Sequence, residues 1–122
     1  MNKKTTPTYS SSVFFVKDVE KSKKFYTEII GQKIDMDLGR CVGFIGGFAI
    51  WERAYANKMM DFKEEDISIN KRDAELYFEI EDLDALFVKL KSKKTSFVHD
   101  IIEQPWAQRC FRIYDPDDHI IE

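Results

Sequence analysis

Apolar and polar positions along this chain change period twice, in the same order each time. Val13 to Val16 form a short apolar run, the pattern of a buried strand. From Lys17-Asp18 onward Val19, Ser22, Tyr26 and Ile29 recur at helical spacing, with Phe25 and Ile30 beside them. Asp18 suits the N-cap, because its carboxylate accepts amides of the first turn, and Gly31 suits the stop. Further on, Leu76, Phe78 and Ile80 alternate with Glu75, Tyr77 and Glu79 as a half-buried strand over 75–80. Asp82 then caps a helix whose stripe is Leu83, Leu86, Phe87 and Leu90.

Each helix is followed by three strand-like runs. They are 33–37, 41–45 and 48–53 in the first half, then 96–104, 109–114 and 119–122 in the second. Each half therefore reads βαβββ, which predicts an α+β fold in one domain over 1–122. Module 1 spans about 9–53 and module 2 about 71–122, joined by a linker over 54–70. Neither half can bury the apolar face of its own helix and sheet alone, so the two must pack together. Met59, Met60 and Phe62 in the linker suit a short helix over the site, a dimer contact or a solvated connection.

The end of the chain carries the densest local pattern. Asp115-Pro116-Asp117-Asp118 is turn chemistry, since proline presets φ and Asp side chains cap nearby amides. Pro105, Trp106, Arg109 and Phe111 precede it, and a strand ending at Glu122 follows. This pattern resembles the glyoxalase, bleomycin-resistance and extradiol-dioxygenase superfamily, also called the vicinal oxygen chelate fold. The resemblance covers nearly the whole chain. It implies a curled, cup-like mixed sheet with helices outside and a ligand held in the cup. Two positions depart from the family pattern, where Ala107 and Asp118 replace glycines. Asp tolerates positive φ better than most residues, so the fold survives the second change.

Period two places Phe14 and Val16 under the helix and turns Ser11, Val13 and Phe15 into the concavity, with Glu75, Tyr77 and Glu79 on the fifth strand. The resemblance puts metal ligands on the first, fourth, fifth and eighth strands. Those positions fall here on Ser11, on Trp51 or Glu52, on Glu75 and on Glu122. Ser11 is a poor ligand where metallated relatives have histidine, and His99 and His119 lie elsewhere. The expected protein therefore has no resident cofactor. Were a divalent metal bound, Mg or Mn on Glu52, Glu75 and Glu122 would suit the oxygen donors.

The leading expectation is a metal-independent small-molecule-binding protein of the bleomycin-resistance type, holding an aromatic or cationic ligand. Ser11, Phe15, Trp51, Glu75, Tyr77, Trp106, Arg109 and Glu122 are its candidate contacts, through stacking, cation–π and charge. Arg109 has three candidate partners: a concave glutamate, a substrate carboxylate or a cross-strand acid. The competing expectation is a lyase, isomerase or dioxygenase-like enzyme, metal-dependent or using Glu122 as general base. A third is an interaction module whose cup its own side chains fill.

Composition narrows the classes. The 122 residues carry 34% charged and 43% hydrophobic positions with a net charge of −3, as in mixed-charge globular proteins. Lys and Arg form no basic stripe, which argues against a nucleic-acid partner. No apolar window approaches the length that crosses a bilayer, and 1–12 has no signal-peptide run, so a cytoplasmic location is expected. Cys41 and Cys110 lack metal or redox spacing and read as buried small hydrophobes. Short edge strands that need cover, together with the family's habit, predict a homodimer.

Overall fold

The computed structural model describes residues 9–59 and 75–122. Two four-stranded mixed sheets with flanking helices make up the α+β fold expected from the two βαβββ patterns. The first sheet contains β1 (Ser12–Val16), β2 (Ile34–Asp37), β3 (Cys41–Phe44) and β4 (Phe48–Glu52), in the order β1-β4-β3-β2. The second contains β5 (Glu75–Leu76), β6 (Phe97–Glu103), β7 (Arg109–Tyr114) and β8 (Ile120–Ile121), in the order β5-β8-β7-β6. Both modules share one plan. The first strand pairs in parallel with the fourth, and the remaining neighbours are antiparallel.

Local chemistry starts the helices where the pattern predicts. Asp18 Oδ1 accepts the Lys21 amide at 3.1 Å ahead of α1 (Val19–Lys24), and Asp82 Oδ1 accepts the Ala85 amide at 3.0 Å ahead of α3 (Leu83–Ser92). α1 widens into a π-helical turn over Phe25–Ile29, with the Ile30 amide reaching the Phe25 carbonyl at 3.1 Å. Both Ile29 and Ile30 then pack on the core, and Gly31 at φ +75° ends the run.

Several boundaries differ from the sequence pattern. The fifth strand pairs only over Glu75–Leu76, and the eighth only over Ile120–Ile121, although the Phe78 amide still reaches the Glu122 carbonyl at 2.8 Å. Arg53, expected in the fourth strand, instead opens α2 (Arg53–Met59). A short helix, one of the three possibilities for the linker, thus begins directly after β4. Met60 and Phe62 lie outside the described residues, and so does the rest of the linker.

One core joins the modules. Val16, Val19, Tyr26, Val42, Phe44 and Ile50 from the first half form a single buried cluster with Leu76, Leu90, Phe111, Ile113 and Ile121 from the second. Phe48 contacts Phe78 edge-on across the junction, with ring centroids 5.9 Å apart. Polar contacts of the Asp-Pro-Asp-Asp turn complete the joint. Asp117 accepts the Lys17 amide at 2.8 Å and the Ser22 hydroxyl at 3.3 Å. Asp115, fully buried at its side chain, accepts the Tyr26 hydroxyl at 2.7 Å, the backbone amides of Asp117 and His119, and His119 Nδ1 at 2.8 Å.

Burial opposes ionisation of Asp115, but the bonds from His119 and Tyr26 prevail and hold its carboxyl below the usual range. Burial and the Asp115 charge push the Tyr26 phenol far up, so it stays a donor. Asp118 adopts φ +64°, the left-handed conformation that its glycine-replacing position demands, and Ala107 does the same at φ +69°.

Candidate functional site

Strand alternation sorts the candidate residues onto faces. On β1 Phe14 and Val16 join the core, which leaves Val13 and Phe15 on the opposite face. On β4 Phe48 and Ile50 join the core, so Trp51 shares the face of Phe15, while Glu52 falls with Ile50. Phe15 and Trp51 are register partners with ring centroids 6.3 Å apart. Trp51 continues to Tyr55 of α2 at 6.3 Å, and the Arg40 guanidinium covers Tyr55 at 4.7 Å from its centroid. Cys41 pairs with Trp51 across β3 and β4, so it is half-buried beside this aromatic shelf and not in the core as expected; only Cys110 is buried.

The second sheet supplies the charged part of the site. Glu75 and Glu122 come together, but around Arg112, a residue not singled out from the sequence. Its Nη2 donates to Glu122 Oε1 at 2.6 Å, its Nε to Glu75 Oε2 at 3.3 Å, and its Nη1 lies 3.0 Å from His99 Nε2. An arginine nitrogen only donates, so His99 Nε2 is the acceptor and Nδ1–H donates to the Asp100 carbonyl at 2.7 Å. Burial works against the Arg112 charge, but the Glu122 carboxylate more than offsets this, and the guanidinium pKa is raised.

Of the remaining candidates, Tyr77 and Arg109 line a cleft of about 360 Å³. Tyr77, Phe78, Glu79 and Ile80 line one side, Gln108 to Phe111 the other, with Glu122 beside them and Leu83, Leu86 and Leu90 of α3 at the apolar end. Trp106, 67% exposed, donates through Nε1 to Gln108 Oε1 at 2.9 Å. Gln108 donates to the Tyr77 hydroxyl at 3.0 Å, and Tyr77 donates to Glu79 at 3.2 Å. Desolvation and the Glu79 carboxylate raise the Tyr77 pKa. Arg109 finds its hydrogen-bonded partner outside the expected set, although Glu103, opposite it across β6 and β7, adds to the charge attraction. It forms a two-pronged pair with Asp84 in the first turn of α3, at 3.2 and 2.8 Å, because its side chain shares the helix-facing side of β7 with Phe111 and Ile113. Ser11 is exposed just ahead of β1, where its hydroxyl donates to the Ser12 carbonyl at 3.2 Å.

Arg112 and His99 were legible in principle. The hairpin register Tyr114↔Ile120 and Ile113↔Ile121 carries on to Arg112 opposite Glu122, so counting out from the Asp-Pro turn finds the pair. His99 was hidden by bulges on both sides of it in β6, which shift its register against Arg112.

These donors do not fit the divalent ion that the superfamily often carries. Glu75 and Glu122 are already bonded to a guanidinium, Glu52 lies on the other face of its sheet, and Ser11 offers a neutral hydroxyl. Among the described residues no group of three His, Cys, Asp or Glu side chains is placed to hold a metal.

Two βαβββ modules with their sheets curled about a concave face define a protein of the vicinal oxygen chelate class. The chain belongs to the glyoxalase-like domain family, which matches residues 9–122. Among solved structures, it is similar to a protein of unknown function from Agrobacterium tumefaciens str. C58, at 35% identity over 95% of this chain and 91% of that one, with a TM-score of 0.83. A glyoxalase/bleomycin resistance protein/dioxygenase from Nocardioides shares the fold at 18% identity, covering 98% and 83%, with a TM-score of 0.77. So does a lactoylglutathione lyase from Agrobacterium tumefaciens at 15% identity, covering 97% and 92%, with a TM-score of 0.73. No curated protein of known function gives a significant match. None of the described helices is long and apolar enough to cross a membrane.

Proposed function

We propose that this protein is a metal-independent small-molecule-binding member of its family, holding an aromatic ligand in the cup. The observation that carries the reading is Arg112 between Glu75 and Glu122. A built-in cation satisfies the carboxylates that a metal would need, so the charged centre of the cup is organised by the chain itself. Phe15 and Trp51 supply a stacking surface, each ring contact contributing roughly 0.5–1.5 kcal/mol beyond the area it buries. The cleft of about 360 Å³ is lined mainly from the helix-facing side, by Phe111, Ile113, Leu83, Leu86 and Leu90, so the ligand is assigned to the opposite face of β7 with Arg112 and not to this cleft.

In this reading Phe15 and Trp51 stack the ligand, Arg112 with Glu75 and Glu122 orients its polar group, and Tyr77, Gln108 and Trp106 form the rim. Arg109 acts as a positioning residue by tying β7 to α3. A homodimer that closes the cup from its partner belongs to the same proposal.

The test is calorimetry of the chelator-treated protein against a panel of planar aromatic compounds. Binding that survives chelation and weakens about tenfold in Trp51→Ala supports the reading, that factor being one stacking contact. A panel with no binder, or binding that returns only on adding a divalent metal, refutes it. Light scattering that gives a strict monomer removes the dimer.

A further inference from the structure

Arg112 meets its two carboxylates unequally. Glu122 accepts at 2.6 Å with its side chain 8% exposed, whereas Glu75 accepts at 3.3 Å and is 41% exposed. Glu122 is thus a fixed anchor and Glu75 a loose counter-ion at the wet edge of the same guanidinium. His99 closes the Nη1 side, and its own bond to the Asp100 carbonyl holds its ring in place. Of the three sides of the guanidinium, only the one facing Glu75 is held by a long contact to a solvent-exposed partner.

We propose that Arg112 determines the specificity of the cup, and that the ligand is a planar aromatic carboxylate which takes the guanidinium over from Glu75. This rests on the reading of the cup as a small-molecule site and adds the ligand's charge to it. The exchange swaps one carboxylate for another at Arg112, so the charge next to the guanidinium is unchanged. Glu75 returns to water, where a half-exposed carboxylate is well solvated, and a shorter charge-assisted bond from Nε to the ligand carboxylate replaces a 3.3 Å contact. A cationic ring gains no such exchange. It would have to sit beside a guanidinium that Glu122 holds in place, and like charges repel there. The cationic ligand suggested by Glu75 and Glu122 in isolation is disfavoured once Arg112 stands between them.

Calorimetry with naphthalene-2-carboxylate, its neutral carboxamide and the cationic naphthalen-2-ylmethylammonium separates the possibilities. The carboxylate is expected to bind at least about tenfold tighter than the ammonium compound, the usual scale of one charge-assisted contact. Glu75→Gln removes the internal competitor and should tighten the carboxylate about fivefold relative to the carboxamide. Arg112→Lys loses the planar fork and should weaken the carboxylate about tenfold. Glu75→Gln keeps Arg112 and its anchor, so the test stands even if Arg112→Lys folds poorly.

An ammonium compound that binds as tightly as the carboxylate overturns the inference, and so does a Glu75→Gln protein with unchanged carboxylate affinity. In both cases the small-molecule reading survives. If none of the three binds, that reading fails with it.

Discussion

Tyr26→Phe is the cleanest perturbation of the joint between the modules, because it deletes one oxygen and leaves the ring packing in place. The lost bond is the 2.7 Å donation from the Tyr26 hydroxyl to Asp115, between a fully buried tyrosine and a side chain with no exposed surface. A buried hydrogen bond to a charged group contributes about 1.5–3 kcal/mol. Asp115 keeps the Asp117 and His119 amides and His119 Nδ1, so the loss belongs near the lower end, at about 1.5–2 kcal/mol. Urea unfolding at neutral pH, followed by tryptophan fluorescence, should show this as a lower midpoint with an unchanged slope.

The pH dependence gives a second readout. The folded-state pKa of Asp115 lies below its ordinary value of 3.8, so its stabilisation is complete above that value and disappears as pH falls through the folded one. Tyr26→Phe removes one of the bonds that depress this pKa. The stability gap between wild type and variant should therefore be constant above about pH 5 and shrink in stronger acid. A gap under about 0.5 kcal/mol, or one that widens on acidification, refutes the assignment of Asp115 as an ionised, tyrosine-bonded joint.

Other changes probe separate parts of the fold. Ala107→Gly relieves a left-handed backbone at φ +69° and should raise stability by about 0.5–1 kcal/mol after the extra chain entropy of glycine is subtracted; chemical denaturation measures it. Asp117→Ala removes the acceptor of the Lys17 amide and the Ser22 hydroxyl and should cost roughly 1–2 kcal/mol, read as a lower Tm at unchanged unfolding cooperativity.

Much of this protein was determined by its sequence alone. Period changes at Asp18 and Asp82 located the starts of α1 and α3 because capping is a local transaction between a side chain and amides three residues on. The faces of β1 followed from alternation, and the positive φ at Asp118 followed from a glycine position in a tight turn. The family was legible too, since two copies of one pattern and a motif-bearing hairpin span most of the chain.

Only tertiary structure decided what those faces meet. Glu122 meets Arg112 through the local β7–β8 hairpin, but Glu75, 37 residues away, joins them only because β5 pairs with β8. Arg109 went to Asp84 because helix α3 packs over its side of the sheet, which no local pattern encodes. Bulges in β6 moved His99 into contact with Arg112 against simple alternation. Local capping and period depend on neighbours a few residues apart, whereas charge compensation depends on which strands lie side by side. That is why the fold could be read along the chain and the electrostatics of its cup could not.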